Sequence, residues 1–300
     1  MTTEEFDLEW LDLREPFDAF ARNEALADAL VAVLPARPRL LDLGAGTGSL
    51  LRWLAPRIGR PQAWTLVDAD RLLLEAAFDT IADRAEQVGY AVTVPNKRTL
   101  LVHAPGGAWR IETLVADLVE APQNLPLPNT DAVVCSALCD LVSRAWLARL
   151  AAALRVPFYA SLNVDGRDRW MPPHPADAAI AAAFRRDQAR DKGFGGAALG
   201  PAATAAIAAT FAARGFTVRS APSDWLARPR GAAHPLLREH AGRFLTELVL
   251  GHAEAARAAP PRGHARREAW LDTRLDQIAI GNLAARIGHR DVLALPGKPA

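Results

Sequence analysis

Two cysteines in 300 residues cannot build a disulfide framework. Standing at Cys135 and Cys139, they are also too few to make a metal site by themselves, and they read as packed thiols. Neither sign of charge is in excess. The chain has 35 Lys+Arg against 34 Asp+Glu, a formal net charge of +1, which removes the electrostatic case for nucleic acid or an anionic membrane as partner. A run of about 18 apolar residues, long enough to span a membrane, is missing. So is the basic–apolar–small order of a signal peptide, and the expectation is a cytoplasmic protein. Internal repeats are also absent, and the alanine-rich stretches favour helix rather than disorder. Hydrophobic residues make up 50% of the chain, enough for a sizeable core. Two domains would fit the length, but α/β folds often run this long as one, and a single domain over 1–300 is expected.

The most informative segment is Leu40-Leu41-Asp42-Leu43-Gly44-Ala45-Gly46-Thr47-Gly48. It reads as a buried strand running into a glycine-rich turn, followed by an amphipathic helix through Leu50, Leu51, Leu54 and Ile58. Alternate glycines let the backbone bend sharply and let a ligand lie against bare main chain. The helix that follows offers unpaired N–H groups and the positive end of its dipole. Spacing then separates the nucleotide-like ligands. Gly44 and Gly46 fit the dinucleotide fingerprint G-x-G-x-x-G/A, but its third position is Ser49 and the glycine falls at Gly48. A phosphate-cradling P-loop would need a lysine that this loop lacks.

What remains, D-x-G-x-G-x-G, resembles motif I of the class I S-adenosylmethionine-dependent methyltransferases. In that family the loop wraps the amino-acid and ribose parts of the cofactor. The resemblance makes Asp42, Gly44, Ala45, Gly46 and Gly48 cofactor-binding candidates. Three further segments follow in the family's order. Trp64–Asp70 reads as a second parallel strand ending in an acid. Asp68, with Ala69 beside it, lies about 20 residues after the loop, where a carboxylate can accept both ribose hydroxyls. Asp70 suits the cap of the helix that follows. Ile111–Leu118 is a β-branched run ending in Asp117-Leu118, which the resemblance places against adenine, although an Asp there is also an ordinary turn residue. Thr130–Leu141 resembles motif IV, so that Ser136 to Asp140 would face cofactor and substrate. The resemblance covers about residues 36–165.

The expected fold is α/β, a doubly wound seven-stranded mostly parallel sheet in class I methyltransferase order with the last strand antiparallel. Phe17, Phe20, Leu26, Leu30, Val33 and Leu34 predict one amphipathic helix over 15–34, stopped by Pro35, within an N-terminal helical cap over 1–35. Residues 99–117 read as a hairpin added before the third core strand. Strands are expected at 156–164, 216–221 and 290–295, and helices at 177–190, 201–215, 234–257 and 265–280. Residues 224–286 would then be a helical insertion between the last two strands, with a Pro/Gly break at 259–263.

Methyl transfer from a sulfonium is an in-line displacement at an activated carbon. The protein must hold the nucleophile about 3 Å from the methyl, exclude water, and accept a proton where the nucleophile carries one. No side chain is obligatory, so the sequence identifies the cofactor better than the acceptor. On the acceptor side, His174 is the candidate base, since its ordinary pKa suits neutral pH. Asp140 could orient an amine or hydroxyl, or open a helix as its cap. Tyr159, Trp170 and Phe194 could wall an aromatic or cationic substrate. Arg22 and Arg185 could take a carboxylate. The Asn/Asp-Pro-Pro-aromatic motif of DNA amino-methyltransferases is replaced by Cys135-Ser136-Ala137-Leu138, and no Pro-Cys pair occurs. The cluster Arg262–Arg267 has Glu268 and Asp272 nearby and reads as a solvated helix face. A small-molecule acceptor, S-adenosyl-L-methionine as cofactor and no metal are expected. The alternatives are a non-catalytic protein that binds the cofactor on the same fold and, less favoured, an NAD(P)-dependent oxidoreductase.

Overall fold

The computed structural model describes residues 7–232, 234–257 and 264–297. The chain opens with α1 (Leu8–Ala21) and α2 (Glu24–Val31). The single helix expected over 15–34 is thus broken. Arg22 leaves the helical region at φ −53° and ψ 137°, and the Asn23 side chain starts the next helix by accepting the Leu26 N–H. Then come β1 (Arg39–Leu43), α3 (Ser49–Ile58), β2 (Gln62–Asp68) and α4 (Arg71–Gln87), the last capped by Asp70 as expected. Three strands follow in succession, β3 (Ala91–Asn96), β4 (Thr99–Ala104) and β5 (Gly107–Val115). β4 and β5 are the expected hairpin, and β3 is one strand more than expected.

The second half holds β6 (Ala132–Ser136), α5 (Arg144–Ala153), β7 (Phe158–Val164), β8 (Arg169–Met171), α6 (Asp177–Gln188) and α7 (Ala203–Ala212). It closes with β9 (Phe216–Pro222), β10 (Trp225–Ala227), α8 (Pro235–Arg257), α9 (His264–Ala279), β11 (Ala284–Ile287) and β12 (His289–Pro296). The break expected at 259–263 and part of the arginine cluster lie outside the described residues. The segment between β9 and β12 is not purely helical. β10 and β11 begin and end it, and both join β8 in a separate antiparallel sheet of order β10-β11-β8.

The main sheet has the order β3-β4-β5-β2-β1-β6-β7-β12-β9. Strands β5, β2, β1, β6 and β7 are mutually parallel, and β12 runs antiparallel between β7 and β9. Without the edge pair β3–β4 this is the expected seven-stranded, mostly parallel sheet, including its antiparallel last strand. Buried residues from α2, α3 and α4 cover one face, and residues from α5 and α7 cover the other. Strand order reverses at β1, so the crevice beyond its carboxyl end is where an open α/β sheet binds ligands.

A third core joins α1, α6, α8, α9 and the small sheet. Aromatic rings dominate it. Phe244 of α8 stacks on Phe17 at 3.8 Å and on Trp10 at 5.6 Å, with Trp225 edge-on at 5.2 Å. α1 is therefore held between this core and the glycine loop. Phe244→Ala should destabilise the protein by about 3–5 kcal/mol in denaturant unfolding, from lost burial and the cavity left behind. A loss under about 1 kcal/mol would show that this core does not hold the helix.

Candidate functional site

β1 delivers the chain into the glycine loop with Leu40, Leu41 and Leu43 buried in the sheet. Gly44, Gly46 and Gly48 all have positive φ, at +64°, +52° and +79°. A Cβ on Gly48 would meet Ile81 Cδ1 at 3.0 Å, whereas one on Gly46 would meet only Leu11 Cδ1, at 3.6 Å. Gly48 therefore serves packing, and Gly46 keeps a space open beneath α1. The Ala45 N–H donates to Val67 O at 3.0 Å, which ties the loop to β2. Gly48 precedes α3 without a side-chain cap, so N–H groups of the first turn of α3 have no capping side chain.

Asp68 stands at the end of β2. Its Oδ2 accepts the Gly46 N–H at 2.9 Å and its Oδ1 accepts the Asp70 N–H at 3.0 Å. Burial pushes its carboxyl above the usual range, against the pull of the Asp70 and Gly46 N–H groups. Beside Asp68 lies the chain of Asp117: the Ala116 N–H donates to Asp68 O at 2.9 Å. Asp117 Oδ1 accepts the Val119 N–H at 2.9 Å, so its local role is to cap a short turn. Leu118 is buried, with Cδ1 3.9 Å from where a Gly44 Cβ would lie.

α1 roofs the loop. Glu15 pairs with Arg52 of α3, and Arg52 also reaches the Thr47 carbonyl. Burial would raise the Glu15 carboxyl, but the Arg52 bond and the charges of Arg52, Arg22 and Arg84 hold it below its ordinary value. Two turns further, at the end of α1, Arg22 points inward with its side chain fully buried. Its Nη2 donates to Ser49 Oγ and Ser136 Oγ, each at 3.1 Å, and stands 3.9 Å from Asp18 Oδ2. Nε and Nη1 of Arg22 are buried without a hydrogen-bond partner.

Asp42 matches it in β1. It is 1% exposed, and neither carboxylate oxygen has a partner. Burial, with the Arg22 charge opposing and Asp68 adding, pushes its carboxyl up to about 8. A buried cation and a buried carboxyl with such orphaned atoms are a costly arrangement in an empty protein. Together they present donors for a carboxylate and acceptors for an ammonium.

The loop after β6 completes this edge. Ala137 has φ +52°, a strained value for a residue with a Cβ, and its N–H donates to Ser161 O at 2.9 Å. Asp140 lies in this loop, 8% exposed, and its charge is felt by Cys135. It does not open α5. Ser143 does, accepting the Trp146 N–H at 3.2 Å, because three more residues of turn precede the helix. Cys135 and Cys139 touch through sulfurs 3.6 Å apart, both buried.

The remaining acceptor-side candidates are not gathered here. His174 stands in the turn just before α6: Nδ1 accepts the Ala176 N–H at 3.1 Å and its own N–H donates to Asp177 Oδ2 at 2.8 Å. Tyr159 is fully buried and donates its hydroxyl to Asp291 Oδ2 at 2.8 Å. Trp170 is buried between Trp270 at 5.6 Å and His252 at 5.1 Å. Phe194 packs edge-on against Trp146 at 5.8 Å, and Arg185 lies exposed beside Gly166. The histidine and the three rings thus spend contact surface on other parts of the fold, and Arg185 stays at the surface.

Three residues absent from the sequence reading stand near the roof. Asp18 accepts the Trp225 Nε1–H at 2.8 Å and pairs with Arg14 at 3.0 Å. His289 opens β12 beside the carboxyl end of β7, 4.3 Å from the Trp225 ring. Burial pushes its imidazole below its ordinary value, with Asp18 pulling the other way. Asp291 is buried within β12. The one sequence signal for it was an aspartate inside an otherwise apolar strand. Among the described residues, no group of three or more His, Cys, Asp or Glu could hold a metal ion, and no helix is long and apolar enough to cross a membrane.

No family model matches the chain. A segment of 46 residues, 15% of the chain, is 56% identical to part of the biotin biosynthesis bifunctional protein BioCD of Bordetella avium (strain 197N). That segment spans 10% of the length of that protein. Among solved structures the chain is similar to a SAM-dependent methyltransferase from Thiobacillus denitrificans in complex with S-adenosyl-L-homocysteine. The identity is 17%, the coverage 98% of this chain and 100% of the other, and the TM-score 0.46. It is also similar to the cyclopropane synthase MmaA2 from Mycobacterium tuberculosis, at 14% identity, 96% and 94% coverage and a TM-score of 0.46.

Proposed function

We propose that the chain is a class I S-adenosylmethionine-dependent methyltransferase with a small-molecule acceptor. The observation that carries the reading is the set of buried, unpartnered polar atoms at the glycine loop, Nε and Nη1 of Arg22 and both carboxyl oxygens of Asp42. A zwitterionic amino-acid end satisfies both residues, and a phosphate would satisfy only Arg22. Asp68, at the end of β2, is placed for the ribose hydroxyls. Leu118 and the chain beside Asp117 are placed for the base. The bound cofactor supplies an electrophilic methyl on a sulfonium.

The protein's own residues do the rest. α1 and the third core shut water from the crevice, which favours displacement over solvolysis. Ser136, Ala137 and Asp140 line the end of β6 next to the cofactor loop. His289 is a largely neutral imidazole at the same edge, better placed than His174 to hold a proton from the acceptor. The chain acts as one domain, with residues 1–35 as cap and 224–286 as the insertion that walls the acceptor side.

Calorimetric titration with S-adenosylmethionine and S-adenosylhomocysteine tests the reading. Micromolar binding of both is expected, and no binding of either would reject it. Asp68→Ala should weaken S-adenosylhomocysteine by about 1–3 kcal/mol, since two hydroxyls would lose their acceptor. Unchanged affinity would remove Asp68 from the ribose role.

A further inference from the structure

Asp291 is a fully buried carboxylate in the middle of β12. The pairing of β12 with β7 is irregular between Arg290 and Val292, so Asp291 sits where the ladder opens. Its oxygens gather three donors, two from β7 and one from the junction of α1 and α2. Oδ1 accepts the Leu162 N–H at 2.8 Å, from a residue of β7 held at φ +56°. Oδ2 accepts the Tyr159 hydroxyl at 2.8 Å and the Asn23 N–H at 2.8 Å. Asn163 braces the same place, its Nδ2 donating to the Ala160 and Arg290 carbonyls, each at 2.9 Å.

The Asn23 bond is the informative one. Asn23 is the junction of α1 and α2, and the residue before it is Arg22. Where the Asn23 N–H is held, the direction in which Arg22 leaves the helix is held too. The neighbouring cap bond, Leu26 N–H to Asn23 Oδ1 at 3.1 Å, fixes α2 but not the junction's place over the sheet. A bond to a buried carboxyl of the sheet does that. We infer that Asp291 is a positioning residue for the cofactor site: through the Asn23 N–H it sets the Arg22 guanidinium against Ser49 and Ser136, ready for a carboxylate. The inference rests on the proposed role of Arg22.

Two ligands separate positioning from general support. S-Adenosylhomocysteine carries the amino-acid end, and 5′-methylthioadenosine is the same nucleoside thioether without it. Asn23→Pro deletes the N–H that Asp291 accepts. Asn23 at φ −79° and Arg22 at ψ 137° already suit a proline and the residue before it. Asn23→Ala keeps the N–H and loses the side chain, both its cap bond to the Leu26 N–H and its Nδ2 bond to the Pro222 carbonyl at 3.5 Å. Asp291→Asn turns an acceptor into a donor facing another donor.

Calorimetry on these variants should show Asn23→Pro losing tenfold or more in S-adenosylhomocysteine affinity. Its 5′-methylthioadenosine affinity should stay within twofold of the wild type, and Asn23→Ala should keep both. Asp291→Asn should repeat the selective loss; if it fails to fold, Asn23→Pro decides alone. Wild-type affinity for S-adenosylhomocysteine in Asn23→Pro, or equal loss of both ligands, overturns the inference. Arg22→Met tests the reading beneath it. Selective loss there without selective loss in Asn23→Pro sinks the positioning role and leaves the cofactor reading standing. Wild-type affinity in Arg22→Met removes Arg22 from the carboxylate role and overturns the inference with it, while the binding it shows leaves the cofactor reading standing.

Discussion

Arg22→Met should abolish tight binding of S-adenosylhomocysteine while raising the thermal stability of the empty protein. The two effects share one cause. Nε and Nη1 of Arg22 are buried with no partner, so the folded chain carries a desolvated cation that Ser49, Ser136 and Asp18 satisfy only at Nη2. An apolar side chain of similar length removes that cost, and the lost Ser49 and Ser136 bonds offset only part of the gain. The expected rise is about 1–2 kcal/mol, at the low end of what replacing buried ions gives. The expected loss of binding is about 2–5 kcal/mol, because the ligand's carboxylate would be buried unpaired. Melting curves and calorimetry on the same preparation check both. A lower melting temperature with unchanged affinity would make Arg22 a structural cation.

The second large effect is a proton. In the empty protein the Asp42 carboxyl is pushed up to about 8, so at pH 7 it is mostly protonated. An ammonium bound beside it favours the ionised form, and binding must then expel the proton. Titration with S-adenosylhomocysteine at pH 7, in two buffers of different ionisation enthalpy, should show release approaching one proton. The release should fade well above pH 8, where Asp42 is already ionised, and vanish in Asp42→Asn. No proton release at pH 7 in the wild type would show that the ligand leaves Asp42 untouched.

The same group makes stability depend on pH. Its folded value lies above the ordinary 3.8, so the folded state binds more protons between the two. The empty protein should therefore lose stability as pH rises from about 4 to about 8, by at most about 1.4 kcal/mol per unit, and level off above. Asp42→Asn should flatten that slope.

The core of the fold was legible because its signals are local. Strand, glycine turn and helix around Gly44–Gly48 follow one another in sequence, and so does the acid at Asp68. Other features depend on partners far away. β10 is three residues long, and the alternation in Trp225-Leu226-Ala227 means nothing until β11 lies beside it. Tyr159 read as a free aromatic because the carboxylate that takes its hydroxyl is 132 residues away. The break between α1 and α2 was hidden for the opposite reason. The apolar spacing from Phe17 to Leu30 runs smoothly across Asn23, and the one local sign of a new start was that a good cap residue stands there. His174 carried the right chemistry, but a histidine just before a helix can spend a ring nitrogen on the first turn, as this one does.

The wall behind α1 is made late. Trp225 donates to Asp18 across 207 residues, and Phe244, further still, is the ring on which Phe17 stacks. On the ribosome α1 and the glycine loop emerge well before the surface that holds α1 down, since Trp225 follows Asp18 by 207 residues. Until then α1 is a short helix with an uncovered aromatic face. A nascent chain should thus pass through a stage in which the nucleotide crevice exists without its roof, open to water and to chaperones alike. Closure would be among the last events of folding, slow in the way that distant contacts are slow. Arrested chains ending shortly before residue 225 should expose Asp18 and Phe17 to protease, and chains extending past α8 should protect them.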